Sequence, residues 1–425
     1  MKEPRVRYGP SPTGIPHIGN IRTALFNYLF AKSQNGKFYL RIEDTDQARI
    51  IPGAVEKIKE SLESLSINWD GDVVVQSKRL SIYEKYLEVL KSKKLVDEEK
   101  GAWRFKIDHQ NQHEEWEDAV HGKVSFPTNV LEDFIIIKSD GFPTYHFASV
   151  VDDHEMEITH VMRGDEWISS TPKHIQIYKA FGWQHPEFVH LPPILGSNHK
   201  KLSKREGAKS VLEYINEGYL PEAIVNFLAL LGWSPKGNQE IFSLKELCRE
   251  FSLDRINKNS PIFNIDKLNW FNQEWIKSLS PEEFKKKIES QFPHKNTYKS
   301  TVTASIAPLV GSRITTLNEF PKIADPFYQK PVLSQEVMSA VPLSGASINQ
   351  YAEKLGTISN LNPENLRAGT TAFAEENKLE TKDLYRSLGV AEFGSLVTPP
   401  LPESVNIIGK EETIERLNDL AKKQK

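Results

Sequence analysis

The stretch from Arg5 to Arg49, RVRYGPSPTGIPHIGNIRTALFNYLFAKSQNGKFYLRIEDTDQAR, decides the fold of this chain. Its apolar segments at 5–8 and 38–42 predict short strands, and the apolar spacing between 21 and 29 predicts a helix between them. The turn at 10–14, Pro-Ser-Pro-Thr-Gly, is stiff because two prolines fix their own φ angles. These segments predict a strand–turn–helix–strand unit of an α/β fold.

Polar residues lie at the ends of this predicted unit. His17 precedes the helix, which we expect to begin at Asn20 because asparagine is a good N-cap residue, and the acidic run 43–46 follows the second strand. Ligands of open α/β sheets bind at the carboxyl ends of strands, and helix N-termini offer free N–H groups to phosphate. Gly19 has no side chain, so a flat ring could approach its backbone. The pattern predicts a phosphate site, although a Pro-rich turn before an ordinary helix explains the same residues.

Length and composition limit the classes of protein to consider. The 425 residues predict two to four domains, and the formal net charge of −3 means that nucleic acid would need local clusters of Lys and Arg. The single cysteine, Cys248, excludes a disulfide framework and a Cys-based zinc site. His109, His113 and His121 have no usual metal-ligand spacing. The absence of a long apolar run or a signal-type start predicts a cytoplasmic protein.

Three later segments carry further polar signals. Arg163 follows a predicted strand at 158–162, where a guanidinium could bind a carboxylate, and a surface salt bridge is the alternative. The segment 143–154 predicts either a strand or a helix start, with polar residues at regular intervals. The basic loop at 200–205 predicts a solvated charge cluster or a contact with a polyanion.

Three separated motifs occur in a specific order: PSPTGIPHIG at 10–19, RIEDTD at 41–46 and KLSKR at 201–205. In this combination the chain resembles the class I aminoacyl-tRNA synthetases, and more narrowly the bacterial-type glutamyl-tRNA synthetases. The resemblance covers nearly the whole chain and is strongest up to about residue 275. Other stretches that carry it are PTYHFASVVDDH at 143–154, RGDEWISSTPKH at 163–174 and GKEETIERL at 409–417.

The resemblance implies a Rossmann-like α/β catalytic domain of the HUP type with a small α/β insertion, followed by helical stem-contact and anticodon-binding domains. The insertion is shorter than is usual in the family. The implied division is 1–90 for the first half of the catalytic domain, 91–134 for the shortened acceptor-stem-binding insertion, 135–209 for the second half with the lysine-bearing loop, 210–324 for the stem-contact domain and 325–425 for the anticodon-binding domain.

The resemblance also implies a reaction. A glutamate–tRNA ligase activates glutamate with ATP to give glutamyl-adenylate and pyrophosphate, and then transfers the glutamyl group to the 3′ end of tRNA(Glu), with tRNA(Gln) open as a second acceptor. It implies Mg²⁺ bound with ATP, no zinc, no membrane partner and a monomer. Two alternatives stay open: glutamyl transfer to a modified tRNA nucleoside, and a catalytically silent tRNA-binding relative.

The resemblance assigns ATP-site roles residue by residue. His17 and Gly19 match the HIGH motif, with Asn20 in place of its second histidine, and Lys201 and Lys204 match the lysines of the KMSKS loop. The catalytic residues implied are His17, Lys201 and Lys204, which would stabilise developing phosphate charge. The ATP-binding positions implied are Pro10, Ser11, Thr13, His17, Gly19, Asn20, Glu166, Trp167, Lys201, Ser203 and Lys204.

The implied glutamate site fits the charges of the amino acid. Two arginine side chains suit the two carboxylates of the substrate, and one glutamate side chain suits its ammonium group. Which of the two arginines binds the γ-carboxylate stays open. Glutamine would be rejected because its neutral amide would leave a buried guanidinium unpaired. The positions implied are Arg7, Ser11, Glu43, Tyr145, Ser149 and Arg163.

Overall fold

The structure, a computed structural model, describes residues 3–202 and 209–424. The chain separates into two compact units, Met1–Ile215 with Pro221–Phe271 and Asn216–Leu220 with Asn272–Lys425. Within the described ranges, no helix is long and apolar enough to cross a lipid bilayer. The strands are β1 (Arg5–Tyr8), β2 (Lys37–Ile42), β3 (Val74–Val75), β4 (Val96–Glu99), β5 (Ala102–Phe105), β6 (His113–Asp118), β7 (Gly122–Pro127), β8 (Phe134–Ile137), β9 (His160–Gly164) and β10 (Glu187–Leu191).

The helices follow in chain order and dominate the second unit. They are α1 (Ile18–Ser33), α2 (Ala54–Ser64), α3 (Leu80–Ser92), α4 (Tyr145–Glu155), α5 (Thr171–Phe181), α6 (Val211–Asn216), α7 (Pro221–Leu230), α8 (Leu244–Glu250), α9 (Ile265–Ser278), α10 (Pro281–Gln291), α11 (Thr301–Val310), α12 (Phe320–Ala324), α13 (Gln335–Ser339), α14 (Gly345–Thr357), α15 (Pro363–Asn377), α16 (Thr381–Phe393), α17 (Leu401–Ile408) and α18 (Lys410–Lys423).

Parallel strands form the centre of the first unit. β1 pairs with β2 from Arg5 opposite Lys37 to Tyr8 opposite Leu40, and α1 makes the connection between them, so the predicted strand–turn–helix–strand unit is confirmed. β2 also pairs in parallel with β3. The backbone N–H of Thr159 donates to Arg5 O at 2.9 Å and attaches the segment just before β9 to β1. The carboxyl ends of these strands therefore point to one edge.

A second sheet has the order β7-β6-β10-β9, and a third, antiparallel sheet has the order β4-β5-β8. β10 is parallel to β9 and to the end of β6, where Phe188 lies opposite Asp118. β6 and β7 form an antiparallel hairpin. Part of the predicted insertion at 91–134 thus contributes strands to the sheet that holds β9 and β10. The five-part domain division stays a prediction.

The segment 143–154 resolves to a helix, α4. Its buried face carries Phe147, Val150 and Val151, which pack into an apolar cluster with residues of α3 and α5. The fully buried carboxylate of Asp152 accepts hydrogen bonds from three side chains, at 2.7–2.9 Å. The donors are Gln76 Nε2, Arg79 Nε and Tyr83 Oη.

The second unit encloses a buried ion pair in its helical core. Glu392 on α16 is fully buried, and its Oε2 lies 3.2 Å from Arg416 Nη1 on α18. The same Nη1 donates to the backbone oxygens of Glu392 and Pro326, both at 2.9 Å. Burial raises the pKa of Glu392 to about 7, although Arg416 opposes the rise.

This raised pKa predicts a pH-dependent stability. The pKa of Glu392 in the folded state lies above the ordinary 4.5. Its contribution to the free energy of unfolding is therefore complete below pH 4.5 and is lost as the pH rises through about 7. Between pH 5 and pH 8, the thermal midpoint of the wild type should fall by about 5 °C more than that of Glu392→Gln. Glu412→Gln is the matched control, because Glu412 also pairs with Arg416, at 2.8 Å. Parallel pH curves for wild type and Glu392→Gln would contradict the assignment.

Candidate active site

A cavity of about 870 Å³ lies at the carboxyl ends of the parallel strands in the first unit. His17 and Lys201, far apart in the sequence, both line it. The predicted site residues on its wall are Arg7, Pro10, Ser11, Thr13, His17, Gly19, Asn20, Glu43, Tyr145, Arg163, Glu166, Trp167 and Lys201. Ser203 and Lys204 lie outside the described residues.

The N-terminus of α1 forms one wall, and its start differs from the prediction. The N-cap is His17, not Asn20: the backbone of His17 is extended, and its Nδ1 accepts from the backbone N–H of Gly19 at 3.0 Å. Asn20 returns the interaction, since its Oδ1 accepts from the backbone N–H of His17 at 3.3 Å. The histidine side chain supplies the cap that the sequence pattern assigned to asparagine.

Gly19 has a local role that the sequence did not indicate. A Cβ at this position would lie 2.9 Å from Cε1 and 3.0 Å from Nδ1 of His17. The missing side chain therefore makes room first for the capping imidazole. The predicted approach of a flat ring to the Gly19 backbone stays a prediction.

The described residues on both sides of 203–208 are attached beside the cavity. Leu202 N donates to Ile194 O at 2.8 Å, and Ile18 N donates to Lys209 O at 3.3 Å. Nζ of Lys201 lies 3.3 Å from Oε1 of Glu166, and both side chains are about half exposed. Lys201 and the start of α1 thus line the same cavity.

A buried cluster of two arginines and two carboxylates lies beside the cavity, which two of its members, Arg7 and Glu43, line. Arg7 donates from Nε and Nη2 to the two oxygens of Asp153, at 2.8 and 3.2 Å. Arg41 donates from Nη1 to Asp153 at 2.6 Å and from Nη2 to Glu43 Oε1 at 2.8 Å. All four side chains are less than one-tenth exposed. The four charges cancel, which is how such groups tolerate burial.

The pKa shifts within the cluster follow from these contacts. Burial alone would raise the pKa of Asp153, but Arg41 and Arg7 outweigh it and the pKa is lowered. Burial tends to lower the pKa of Arg7 and of Arg41, and the nearby carboxylates reverse that effect and raise both. Burial raises the pKa of Glu43, with Arg41 opposing.

Ser149 lies away from the cavity wall and is fully buried. Its Oγ accepts from Arg41 Nη2 at 3.3 Å, so it supports a cluster member. The contact of Ser149 with glutamate stays a prediction.

Arg163 differs from the other two arginines in having only uncharged partners. It is 5% exposed, and none of its hydrogen bonds to described residues goes to a carboxylate. Five hydrogen bonds at 2.8–3.4 Å engage its five N–H groups. A carboxylate ligand could therefore bind this guanidinium in a bidentate manner only by displacing one of these acceptors. The acceptors are His190 Nε2, Tyr145 Oη, His174 Nδ1, Trp167 O and Thr171 Oγ1.

Tyr145 lines the cavity and accepts a hydrogen bond from Arg163. Its oxygen accepts from Arg163 Nη1 at 3.1 Å, which leaves the phenolic hydrogen available as a donor. Its ring packs on Trp167, with ring centroids 4.2 Å apart. Burial raises the pKa of Tyr145, so the phenol stays protonated.

Several residues of the site were missed at the sequence level. Asp153 had a usable signal: Tyr145, Ser149 and Asp153 recur every four residues, which places them on one face once 143–154 is a helix. Asp118 and His190 carried no such signal, because strands β6 and β10 bring them together only in the folded sheet.

The comparisons with known proteins agree with this geometry. Residues 3–95 and 89–270 match the family described as tRNA synthetases class I (E and Q), catalytic domain. Residues 264–421 match the family described as Anticodon binding domain. The fold is therefore that of a class I aminoacyl-tRNA synthetase.

The individual relatives identify a narrower family within this class. A glutamate–tRNA ligase of Dehalococcoides mccartyi is 37% identical over 470 aligned positions, covering 98% of this chain and 96% of the relative. One from Clostridioides difficile is 36% identical, covering 97% and 98%. The crystal structure of a glutamate tRNA ligase from Elizabethkingia meningosepticum in complex with its amino acid has a TM-score of 0.91, 31% identity and full coverage of both chains. The chain belongs to the glutamate–tRNA ligase family and is an aminoacyl-tRNA ligase.

The cap on α1 gives a testable prediction. Gly19→Ala should push the His17 imidazole away from its capping position and lower the rate of ATP–pyrophosphate exchange at least about tenfold. Stability should change little, because the lost cap of about 1 kcal/mol is offset by the better helix propensity of alanine. Gly237→Ala is the control, since a Cβ there meets no atom within 4 Å. Wild-type exchange by Gly19→Ala would contradict the role of this close contact.

Proposed function

We propose that this chain activates L-glutamate with MgATP and transfers the glutamyl group to the 3′ end of tRNA(Glu). The observation that carries the proposal is one cavity lined by the capped N-terminus of α1, by Lys201 and by the buried side chains of Arg7 and Arg163. The first two suit a triphosphate, and the arginines suit an acidic amino acid. Both substrates would meet at the edge of the sheet.

In the first step, a carboxylate oxygen of glutamate attacks the α-phosphorus of ATP and pyrophosphate leaves. His17, at the positive end of α1, would face the phosphates as negative charge develops. Lys201 would exchange its ion pair with Glu166 for the leaving pyrophosphate, and Lys204 is proposed from the sequence as its partner. The enzyme supplies position and charge, with no covalent intermediate.

Mg²⁺ is proposed to enter with ATP. Among the described residues, no group of three His, Cys, Asp or Glu side chains is placed to hold a metal ion. Magnesium commonly binds through substrate phosphates and retains several waters. Class I synthetases use ATP and typically Mg²⁺, so we infer that the phosphate oxygens are the main ligands.

The charge of the glutamate site matches the amino acid. Oε1 of Glu43 is occupied by Arg41, so Oε2 would accept the substrate ammonium. Nη1 of Arg7 is the part of that guanidinium not engaged by Asp153, so it would face a substrate carboxylate. The cluster is neutral, whereas glutamate carries a net charge of −1. Arg163, which has no carboxylate partner among the described residues, adds a positive charge beside the cluster, and glutamine would leave that charge unbalanced.

The C-terminal helices would bind tRNA. Their match to an anticodon-binding family over 264–421 supports anticodon contact and disfavours transfer to a modified nucleoside without it. In the second step the terminal ribose hydroxyl attacks the adenylate carbonyl and AMP leaves. We propose that the enzyme acts in the cytoplasm as a monomer.

The lysine-bearing segment provides the first test. Lys201→Ala should lower ATP–pyrophosphate exchange about a hundredfold or more, because a charge on the leaving group loses its partner. Lys200→Ala is the matched control: Lys200 is exposed, adjacent in the chain and absent from the cavity wall. Equal exchange by the two variants would reject the assignment of Lys201 to pyrophosphate.

Charging of tRNA provides the second test. With ATP and labelled glutamate, the chain should charge tRNA(Glu), and the same assay with tRNA(Gln) decides the breadth of the second step. Glutamine at equal concentration should be charged at least about 10⁴-fold less well, since it leaves a buried cation unpaired. Exchange without transfer to either tRNA would contradict the proposed acceptor.

A further inference from the structure

A buried relay of three side chains lies behind the glutamate site. Nδ1 of His190 is 2.6 Å from Oδ2 of Asp118, and the side chains of both residues are fully buried. Nε2 of His190 accepts from Nε of Arg163 at 3.1 Å. The carboxylate on β6 thus reaches Arg163 on β9 through an imidazole on β10.

The backbone fixes the orientation of Asp118. Its Oδ1 accepts from the backbone N–H groups of Val120 at 3.0 Å and His121 at 3.1 Å. Oδ2 is therefore the oxygen left for His190. A carboxylate accepts only, so the proton of the neutral imidazole lies on Nδ1 and its lone pair lies on Nε2.

That tautomer is the one that Arg163 requires. The Nε–H group of Arg163 donates to Nε2 of His190 at 3.1 Å, so a proton on Nε2 would set two donors against each other and, among the described residues, would have only Thr171 Oγ1, at 3.3 Å, as its acceptor. His174 repeats the pattern, since its Nδ1 accepts from Arg163 Nη1 at 3.2 Å and its Nε2 lies 3.0 Å from His146 Nδ1. Two imidazoles therefore serve as acceptors for one guanidinium.

The electrostatics keep these imidazoles neutral. Burial lowers the pKa of His190, with Asp118 opposing and Arg163 adding to the effect. Burial, then Arg163, lowers the pKa of His174 well below its ordinary value. Burial would raise the pKa of Asp118, but the hydrogen bonds from His190, His121 and Val120 outweigh it and the pKa is lowered. The negative charge stays on Asp118 and the positive charge stays on Arg163.

We propose that Asp118 and His190 are positioning residues for amino-acid selection, which hold Arg163 in the orientation that reads glutamate. The inference rests on the proposed function and deepens it. Because His190 lies between the Asp118 carboxylate and the Arg163 guanidinium, the guanidinium is held in place without a direct ion pair that would neutralise its charge. Arg163 then keeps its charge for the substrate, whereas Arg7 and Arg41 share theirs with Asp153.

The decisive variant is Asp118→Asn. The backbone N–H groups of Val120 and His121 would hold the amide oxygen at the Oδ1 position and turn the NH₂ group toward His190. His190 would then accept at Nδ1 and carry its proton on Nε2, against Arg163. In ATP–pyrophosphate exchange with tRNA(Glu) present, we expect the KM for glutamate to rise about 10- to 100-fold and the KM for ATP to stay within twofold.

Variants at His190 separate positioning from packing. His190→Gln offers an amide oxygen to Arg163 and should retain more glutamate affinity than His190→Leu, which offers no acceptor. His160→Gln is the matched control, because His160 lies on β9 three residues before Arg163 and pairs with Glu187 at 3.3 Å. It should leave both KM values unchanged.

Spectroscopy gives a readout that a merely structural role would not move. In ¹⁵N-histidine-labelled protein, His190 should show the Nδ1–H tautomer in the wild type and the Nε2–H tautomer in Asp118→Asn. A glutamate KM within twofold of wild type, or equal losses for glutamate and ATP, would overturn the inference. Absence of any glutamate-dependent exchange in the wild type would instead reject the proposed function, while the tautomer spectra would still decide whether Asp118 sets the state of His190.

Discussion

A guanidinium removed from water must find acceptors, and this constraint shapes the centre of the first unit. Arg7 and Arg41 meet it with the carboxylates of Asp153 and Glu43, and the result is a buried cluster with no net charge. Arg163 meets it with neutral acceptors, and the result is a buried positive charge beside the cavity. A buried guanidinium therefore loses or keeps its net charge in the site according to whether its partners are carboxylates or uncharged acceptors.

The fold supplies the places for these partners. Parallel pairing of β1 with β2, and of β9 with β10, brings their carboxyl ends to one edge, where the turn at 10–14 and the N-terminus of α1 also lie. The acceptors of Arg163 come from α4, α5, β10 and the segment just before α5, so the arrangement exists only when all are packed. The capped N-terminus of α1 and the side chains of Arg7 and Arg163 then line one cavity.

Much of this arrangement could be predicted from the sequence, because local signals were strong where the backbone itself makes the site. The Pro-rich turn and the strand–helix–strand spacing predicted the unit around His17, and the family motifs predicted that Lys201 joins it. Local rules failed where one side chain takes the role expected of another: His17 caps α1, although the sequence pattern assigned that role to Asn20. Asp118 could not be found, since its partner His190 lies on a strand that is adjacent in the sheet but 72 residues away in the sequence, and no local spacing links the two.

The hairpin of β6 and β7 illustrates a limit on how far this part of the chain can be trimmed. The relatives align over 470 positions, more than the 425 residues of this chain, so length has changed within the family. Asp118 is the last residue of β6, and the chain turns immediately after it into β7. Excision that reached this corner would remove Asp118, the partner of the histidine that accepts from Arg163, although no residue of the hairpin lines the cavity. We therefore expect shortening to be tolerated only in segments that leave the root of the hairpin in place.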